Sequence, residues 1–404
     1  MSSKRMVIGA AMLGLGAATP MVVRRGEAPW GGWSSSVVVT HVGAAASQVG
    51  AATSRSAVTP TTAGAPIQSG NPFNFPLDNG FPTLSDDAEN TVNVLAHGTE
   101  PNGPPPTLKA DDLTSFQLIA FNEMFEVAFF TDLLFNVTNR VPGFEVTGQN
   151  ERQTLINALV AIQATEELHA DNANAVLSNN KIAPIQPCKH QFPTTNLIDA
   201  LNLAATFTGI VLGTLQDIQL HLAQDNAEDG PAVVPIIGSV VGNEGEQTGF
   251  FRNYIGKIPT GKPFLTRASR ESAFSALNQM FVVNGSCPNS NTINLPVFLP
   301  LTVENTRIQP KDQLITFSVT VDKPSPPIGL SLVLINGQNV PIVEEVRDAV
   351  VKDGVATFQA NFPYTEYVLD GLTIAALTKS AGSFTDAEAV ANATIGGSGL
   401  IEVN

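Results

Sequence analysis

Four residues able to bind a metal occupy positions where a helical pattern calls for apolar side chains. Glu123, Glu166, His169 and Glu244 lie on stripes of residues spaced three or four apart, whose other members are mostly Leu, Ile, Val, Ala and Phe. A lone buried charge is very costly, so these side chains must pair, become protonated or bind a metal. Because Glu166 and His169 are three residues apart, they project from one helix face and can share an ion.

Two interpretations of this set remain open. We favour a metal-free polar network that fixes helix register, because Gln247 stands where a second Glu-x-x-His pair would place histidine. An amide donates and accepts hydrogen bonds without bringing charge. In the alternative, the same four residues, with or without Glu126, bind a metal ion. Their oxygen and nitrogen ligands suit Fe, Mn or Zn.

The stripes predict five helices that must position these residues. Asp111-Asp112 offer a helix start, and apolar residues at helical spacing continue to about residue 281. The helices are expected over residues 111–134, 155–173, 197–224, 235–254 and 266–283. Long helices with short connections between some of them predict an antiparallel bundle over residues 109–288.

After Cys287 the hydrophobic period changes from 3.6 to 2. Asn336-Gly337 and Asp353-Gly354 separate β-rich runs, and such dipeptides are the strongest short-range hairpin signals. About seven strands, one of them over residues 389–395, predict a β-sandwich over residues 289–404. The predicted fold class is α+β, with the bundle followed by the sandwich.

Several motifs in the bundle region resemble a known family. Residues 122–130 (Asn-Glu-Met-Phe-Glu-Val-Ala-Phe-Phe) and 164–170 (Ala-Thr-Glu-Glu-Leu-His-Ala) are similar to the first two helices of ferritin-like domains. Residues 211–217, 274–279 and 283–288 add a closer resemblance to fungal secreted proteins of late sexual development, which are related to desiccation- and stress-response proteins. The resemblance covers residues 111–288 and implies a ferritin-like bundle, secretion and a role in development or stress.

The sequence departs from the di-iron pattern of such bundles, which needs a Glu on two helices and Glu-x-x-His on the other two. The fourth helix carries Glu244 and Gln247 instead of Glu and His, and the third helix has only Gln216 and Asp217 near the expected position. Asp217 lies beside the apolar stripe, so we interpret it and His221 as a surface pair. No residue set indicates a catalytic role, and an enzyme is the less favoured interpretation.

The N-terminus predicts secretion. Lys4-Arg5 precede an apolar stretch that ends in small residues at Ala18, so residues 1–18 are expected to be a signal peptide. From residue 28 to residue 77 the only charged side chain is Arg55, and we expect a disordered linker over residues 19–108. Whether Arg24-Arg25 is a processing site stays open.

Secretion into an oxidising compartment leads to predictions about the cysteines and the glycosylation motifs. It favours a Cys188–Cys287 disulfide, since each cysteine adjoins a proline just past a predicted helix. It also makes three sequons candidates for glycosylation, at Asn136, Asn284 and Asn392.

Composition excludes other classes. The chain has 404 residues and a net charge of -15, so it has no basic field for nucleic acid. No run reaches the ~18 apolar residues of a membrane span. The sequence alone therefore favours a secreted, non-enzymatic ferritin-like protein of sexual development or stress, open to association with cell wall or extracellular matrix. The alternative is a metal-binding protein or metal-dependent oxidase. The oligomeric state is not predicted.

Overall fold

The computed structural model describes residues 72–103, 106–225, 229–321, 329–379 and 382–403, which all fall in one compact unit. The predicted signal peptide, Arg24-Arg25 and the predicted linker up to residue 71 lie outside these residues. The described residues form eight α-helices and eight strands, so the predicted α+β class is confirmed.

Helices α2 (Ala110–Asn139) and α3 (Gln149–Asn179) form an antiparallel pair. The N–H of Leu108, just before α2, donates to Oδ1 of Asn180, just after α3, over 3.0 Å. The start of α2 therefore adjoins the end of α3, while residues 140–148 join their other ends. Helix α2 is buried on nearly all sides, which explains why it is apolar around most of its circumference.

Helices α4 (Leu197–Gln224) and α5 (Gly230–Tyr254) form the second antiparallel pair. Lys257, after α5, donates from Nζ to Oδ1 of Asn202 near the start of α4, over 2.7 Å. Helix α5 begins before Pro235, the predicted start. This proline lies within the early turns of the helix instead of at its first residue. By length and composition α4 could cross a membrane, but 61% of its most apolar window is buried inside the protein. This burial accounts for its apolar composition.

The segment before the bundle differs from the predicted linker. It contains α1 (Asp86–Leu95), whose N-cap Ser85 accepts a hydrogen bond from the backbone. Phe73 and Phe81 are buried and pack in one cluster with Met124 of α2. The low charge of this region predicted disorder, but its aromatic residues provide enough apolar surface to dock the segment on the bundle.

Helix α6 (Arg270–Met280) is shorter than the predicted 266–283. The reason lies at Thr266, whose hydroxyl donates to the carbonyl of Leu372 over 2.6 Å and accepts from the N–H of Gly337 over 2.9 Å. These bonds hold the residues before α6 against the strands instead of in a helical turn.

Two four-stranded antiparallel sheets follow the helices. Their strands are β1 (Leu301–Val303), β2 (Gln313–Thr320), β3 (Ser331–Asn336), β4 (Ile342–Glu345), β5 (Arg347–Lys352), β6 (Val355–Phe362), β7 (Gly371–Thr378) and β8 (Thr394–Val403). The first sheet has the order β1-β2-β6-β5 and the second β4-β3-β7-β8. Both predicted hairpins are present, with β3 paired to β4 and β5 paired to β6.

The second sheet lies between the helices and the first sheet. Along β3, Leu332 and Leu334 belong to the apolar cluster shared with the first sheet, whereas Val333 and Ile335 belong to the cluster of the helices. Every residue of β3 is therefore buried. For this reason polar and apolar residues do not alternate along the strand. The predicted boundary at residue 288 does not separate two independent cores.

The prediction of a strand over residues 389–395 is wrong for residues 389–393. Those residues belong to α8 (Ala387–Ala393), and β8 begins directly after it. Asp386 caps the helix by accepting from the N–H of Ala389 over 2.9 Å. The Ala-rich composition favours this helix. A further single turn, α7 (Tyr364–Tyr367), links β6 to β7.

The predicted disulfide between Cys188 and Cys287 is confirmed. It joins the segment after α3 to the segment after α6. Next to it, the backbone of His190 forms isolated β-bridges to Phe73 and to Val282. Three segments distant in sequence are thus tied together at one end of the bundle.

Candidate metal centre

The four predicted ligand residues lie together. Glu123 comes from α2, Glu166 and His169 from α3, and Glu244 from α5. One ligand atom from each lies within 4.8 Å of the ligand atoms of the others. The helical spacing that singled out these residues therefore brings them to one point between three helices.

The distances in this cluster suit one small cation. Nδ1 of His169 lies 3.6 Å from Oε2 of Glu123 and 3.6 Å from Oε1 of Glu244. Two ligand atoms bound tetrahedrally to one ion at ~2.1 Å would be about 3.4 Å apart. Oε2 of Glu166 is closer to the same nitrogen, at 2.8 Å, which is a hydrogen-bond distance. An ion would have to replace the proton between these two atoms.

The cluster is buried and incompletely hydrogen-bonded. The three glutamates are at most 1% exposed, and the His169 side chain is 15% exposed. Within the part of the chain that the structure describes, Oε2 of Glu123 and both carboxylate oxygens of Glu244 have no hydrogen-bond partner. Leaving buried oxygens unpaired costs ~1–3 kcal/mol each, and more for a charged group. A cation bound among them would remove this cost, so the residues present fit a metal.

Electrostatics in the cluster favours retained protons when no cation is present. Burial raises the pKa of Glu123 to about 7. Burial and then the charge of Glu166 raise the pKa of Glu244 well above its usual range. Burial lowers the pKa of His169, but the Glu166 and Glu123 carboxylates outweigh burial, so the net pKa lies well above the usual value. A metal ion must displace these protons, which makes its affinity dependent on pH.

Glu126 is a fourth acidic group next to the cluster. It is fully buried, and its Oε1 accepts from Nδ2 of Asn122 over 2.9 Å, while its Oε2 has no partner. Burial, followed by the charges of Glu166 and Glu123, raises its pKa well above the usual range. Glu126 is not a member of the set whose ligand atoms lie within 4.8 Å.

Gln247 is directed into the cluster. Its Nε2 donates to Oε1 of Glu166 over 2.5 Å and to Oδ1 of Asn243 over 3.1 Å. Both amide hydrogens are therefore used. The Gln247 side chain therefore hydrogen-bonds to one oxygen of Glu166, a candidate ligand, and adds no charge to the cluster.

The interpretation of Asp217 and His221 as a surface pair is wrong. Asp217 is 1% exposed, and its Oδ1 accepts from Nε and Nη2 of Arg267 over 3.0 and 2.6 Å. His221 places Nδ1 3.1 Å from Oδ2 of Asp111 and Nε2 3.7 Å from Oδ2 of Asp217. These residues form a separate, partly buried polar network between α4, α2 and the residues before α6.

The other candidate on α4, Gln216, also points away from the cluster. Its Oε1 accepts from Nε2 of Gln338, which follows β3, over 2.8 Å. Among the described residues, α4 contributes no member of the ligand set.

His190, in the segment after α3, is a buried titratable group. It is 1% exposed, neither ring nitrogen has a hydrogen-bond partner, and its ring contacts those of Phe125 and Phe192. Burial lowers its pKa to about 4. One of the two ring contacts, Phe125, lies on α2, 65 residues away, and could not be predicted from the residues around His190.

The three sequons have different environments. Asn136 is 5% exposed and donates from Nδ2 to Oδ2 of Asp132 over 3.1 Å, so a glycan there is incompatible with this packing. Asn284 and Asn392 are exposed and compatible with glycosylation.

No protein-family model matches the chain, and no curated protein is significantly similar to it.

Proposed function

We propose that the chain is a ferritin-like, metal-binding protein, in which Glu123, Glu166, His169 and Glu244 bind one divalent transition-metal ion. The two antiparallel helix pairs support a ferritin-like arrangement, since metal sites in such bundles are built from side chains on facing helices. The ligand set of carboxylates and one imidazole suits Fe, Mn or Zn.

One observation carries this proposal. Four ligand atoms from three helices lie within 4.8 Å, and three of the carboxylate oxygens in the set lack any hydrogen-bond partner. A metal-free network, which the sequence alone favoured, would pair these oxygens. Gln247 donates to Oε1 of Glu166, which is not one of these three oxygens, and so leaves all three unpaired. The geometry therefore supports the metal-binding alternative.

The proposal extends to location and process. We propose that the protein is secreted and acts in development or stress, with binding of the ion as its molecular role. The signal-peptide pattern and the family resemblance in the sequence support this, and the disulfide is compatible with an oxidising compartment. Metal-dependent oxidation is a second candidate, favoured by the partial exposure of His169 to a cleft that opens on the cluster.

The binding proposal is tested by titrating chelator-treated full-length protein with Mn²⁺ or Zn²⁺ and recording thermal unfolding. A ligand that binds only the folded state stabilises it by ~2.7 kcal/mol at 100 times its Kd. Glu244→Gln should abolish this stabilisation. Glu246→Gln is the matched control, because Glu246 is exposed on the same helix. Equal stabilisation of both variants would refute the site.

A further inference from the structure

A cleft of about 640 Å³ opens onto the cluster. Its walls come from α2, α3, α5 and the segment after α1, and they are mainly apolar, including Phe116, Ile119, Leu168, Ile237 and Val240. This volume lies within the ~300–1,000 Å³ of typical small-molecule sites. The cleft thus has the size and the lining of a site for a mostly apolar ligand.

Part of the lining of the cleft is polar. Glu123 and His169 belong to this lining and also to the cluster described above. Glu123 is 1% exposed, and its Oε2 is an acceptor without a hydrogen-bond donor. A ligand group that donates a hydrogen bond would satisfy this oxygen.

The charge of the lining restricts the ligand further. Among the described residues, the ionisable groups that line the cleft are Glu100, Glu123 and His169, and no Lys or Arg is present. Glu100 accepts from Nδ2 of Asn172 over 3.1 Å. Nδ1 of His169 already lies 2.8 Å from Oε2 of Glu166. An anionic ligand would therefore meet carboxylates without an unpaired cation. A cationic ligand would lose its water among walls that are mostly carbon.

We propose that this cleft binds a small, mainly apolar molecule that carries a hydroxyl group, with the hydroxyl directed at Glu123 and His169. The apolar body packs between α2, α3 and α5. The hydroxyl donates to the carboxylate of Glu123. This proposal concerns a second ligand and does not require a bound metal, although a metal ion at the cluster would lie next to the hydroxyl oxygen.

The test uses 2-naphthol and 2-naphthoate, which share a ring system and differ in the charge of the head group. Binding to metal-free, full-length protein is measured by calorimetry, so the result is independent of the metal proposal. We expect saturable 1:1 binding of 2-naphthol and at least about tenfold weaker binding of 2-naphthoate. Equal or tighter binding of 2-naphthoate, or no saturable binding of 2-naphthol, would overturn the proposal.

Variants locate the site. Ile236→Phe replaces an aliphatic side chain with a larger aromatic one at a half-buried position of the lining. It should weaken 2-naphthol binding by about tenfold or more. Val94→Phe is the matched control, because Val94 is 64% exposed on α1 and outside the cleft. Ser239→Phe, at an exposed lining position, repeats the test without changing the core. Unchanged affinity in Ile236→Phe and Ser239→Phe, with a native unfolding transition, would place binding elsewhere.

Discussion

Gln247 donates to one carboxylate oxygen of Glu166, Oε1, over 2.5 Å, while the other oxygen, Oε2, lies 2.8 Å from Nδ1 of His169. The two oxygens of Glu166 thus have different partners. Only Oε2 is directed at the position that an ion would share with His169. Gln247 therefore limits Glu166 to one ligand oxygen and favours a single ion over two.

Replacing this amide should change the metal stoichiometry. In Gln247→His, Oε1 of Glu166 is released and an imidazole is added three residues after Glu244. With the unpaired oxygen of Glu126 nearby, the variant has ligands for a second ion. We predict about one Mn²⁺ or Fe²⁺ per wild-type chain and about two per Gln247→His chain, measured by equilibrium dialysis.

The control for that substitution is Gln153→His, which adds a histidine at an exposed position of α3. It should retain the wild-type stoichiometry. If Gln247→His and Gln153→His bind the same amount of metal as the wild type, Gln247 does not set the number of ions.

His190 should make stability depend on pH. Its pKa is lowered from the usual value to about 4 by burial. Between ~pH 6.5 and 4 the unfolded chain binds a proton that the folded chain does not, so this histidine lowers the free energy of unfolding as pH falls. The loss should reach about 3 kcal/mol by pH 4. His190→Phe, set among neighbouring phenylalanines, should remove it.

The measurement is the difference in free energy of unfolding between His190→Phe and wild type, from urea titrations at several pH values. Comparing the two proteins cancels the raised pKa values of Asp132 and Glu167, which act in the opposite direction. The difference should increase as pH falls from 7 to 4. His97→Asn, at an exposed position, should show no such trend, and a flat difference for His190→Phe would contradict the assignment.

Two glycines in the bundle should respond oppositely to alanine. A Cβ at Gly213 of α4 would lie 2.2 Å from the carbonyl oxygen of Thr266 and 2.6 Å from the nitrogen of Ala268. We predict that Gly213→Ala destabilises the protein by about 3 kcal/mol. A Cβ at Gly242 of α5 would meet nothing within 4 Å, so Gly242→Ala should stabilise the helix by up to about 1 kcal/mol. Urea unfolding of both variants distinguishes these outcomes. Similar changes in the free energy of unfolding would argue against the close contact between α4 and the segment around Thr266.

The disulfide should contribute substantially to stability. Cys188 and Cys287 are 99 residues apart, and closing a loop of this size is worth about 4.7 kcal/mol in the chain-entropy model. A reductant should lower the free energy of unfolding of the wild type but not of the Cys188→Ser/Cys287→Ser double variant. An equal response of the two proteins to the reductant would contradict the predicted contribution.

The ligand set could be predicted because it depends on local geometry. Residues three and four apart share a helix face, and a carboxylate on an apolar face is visible in one sequence. Glu123 and Glu166 were found in this way. The same method failed at Asp217, because α4 is covered both by helices and by the segment around Thr266, so a residue beside its stripe is buried too.

Other features could not be predicted because they depend on partners distant in sequence. Phe73 and Phe81 dock on α2 from a segment whose average composition indicates disorder. His190 pairs through its backbone with Phe73 and Val282, which lie more than 90 residues away on either side. The helix α8 was missed for a different reason: its cap at Asp386 is a single residue next to a β-rich sequence.

The central claim is that the buried cluster binds one metal ion. Its most direct test is the metal content of full-length protein, purified after growth with Fe, Mn and Zn and measured by mass spectrometry. We predict about one equivalent of one of these metals in the wild type, and less than about a tenth of that amount in a folded Glu166→Ala/His169→Ala double variant. A substoichiometric metal content in the wild type that is unchanged in the double variant would contradict the claim.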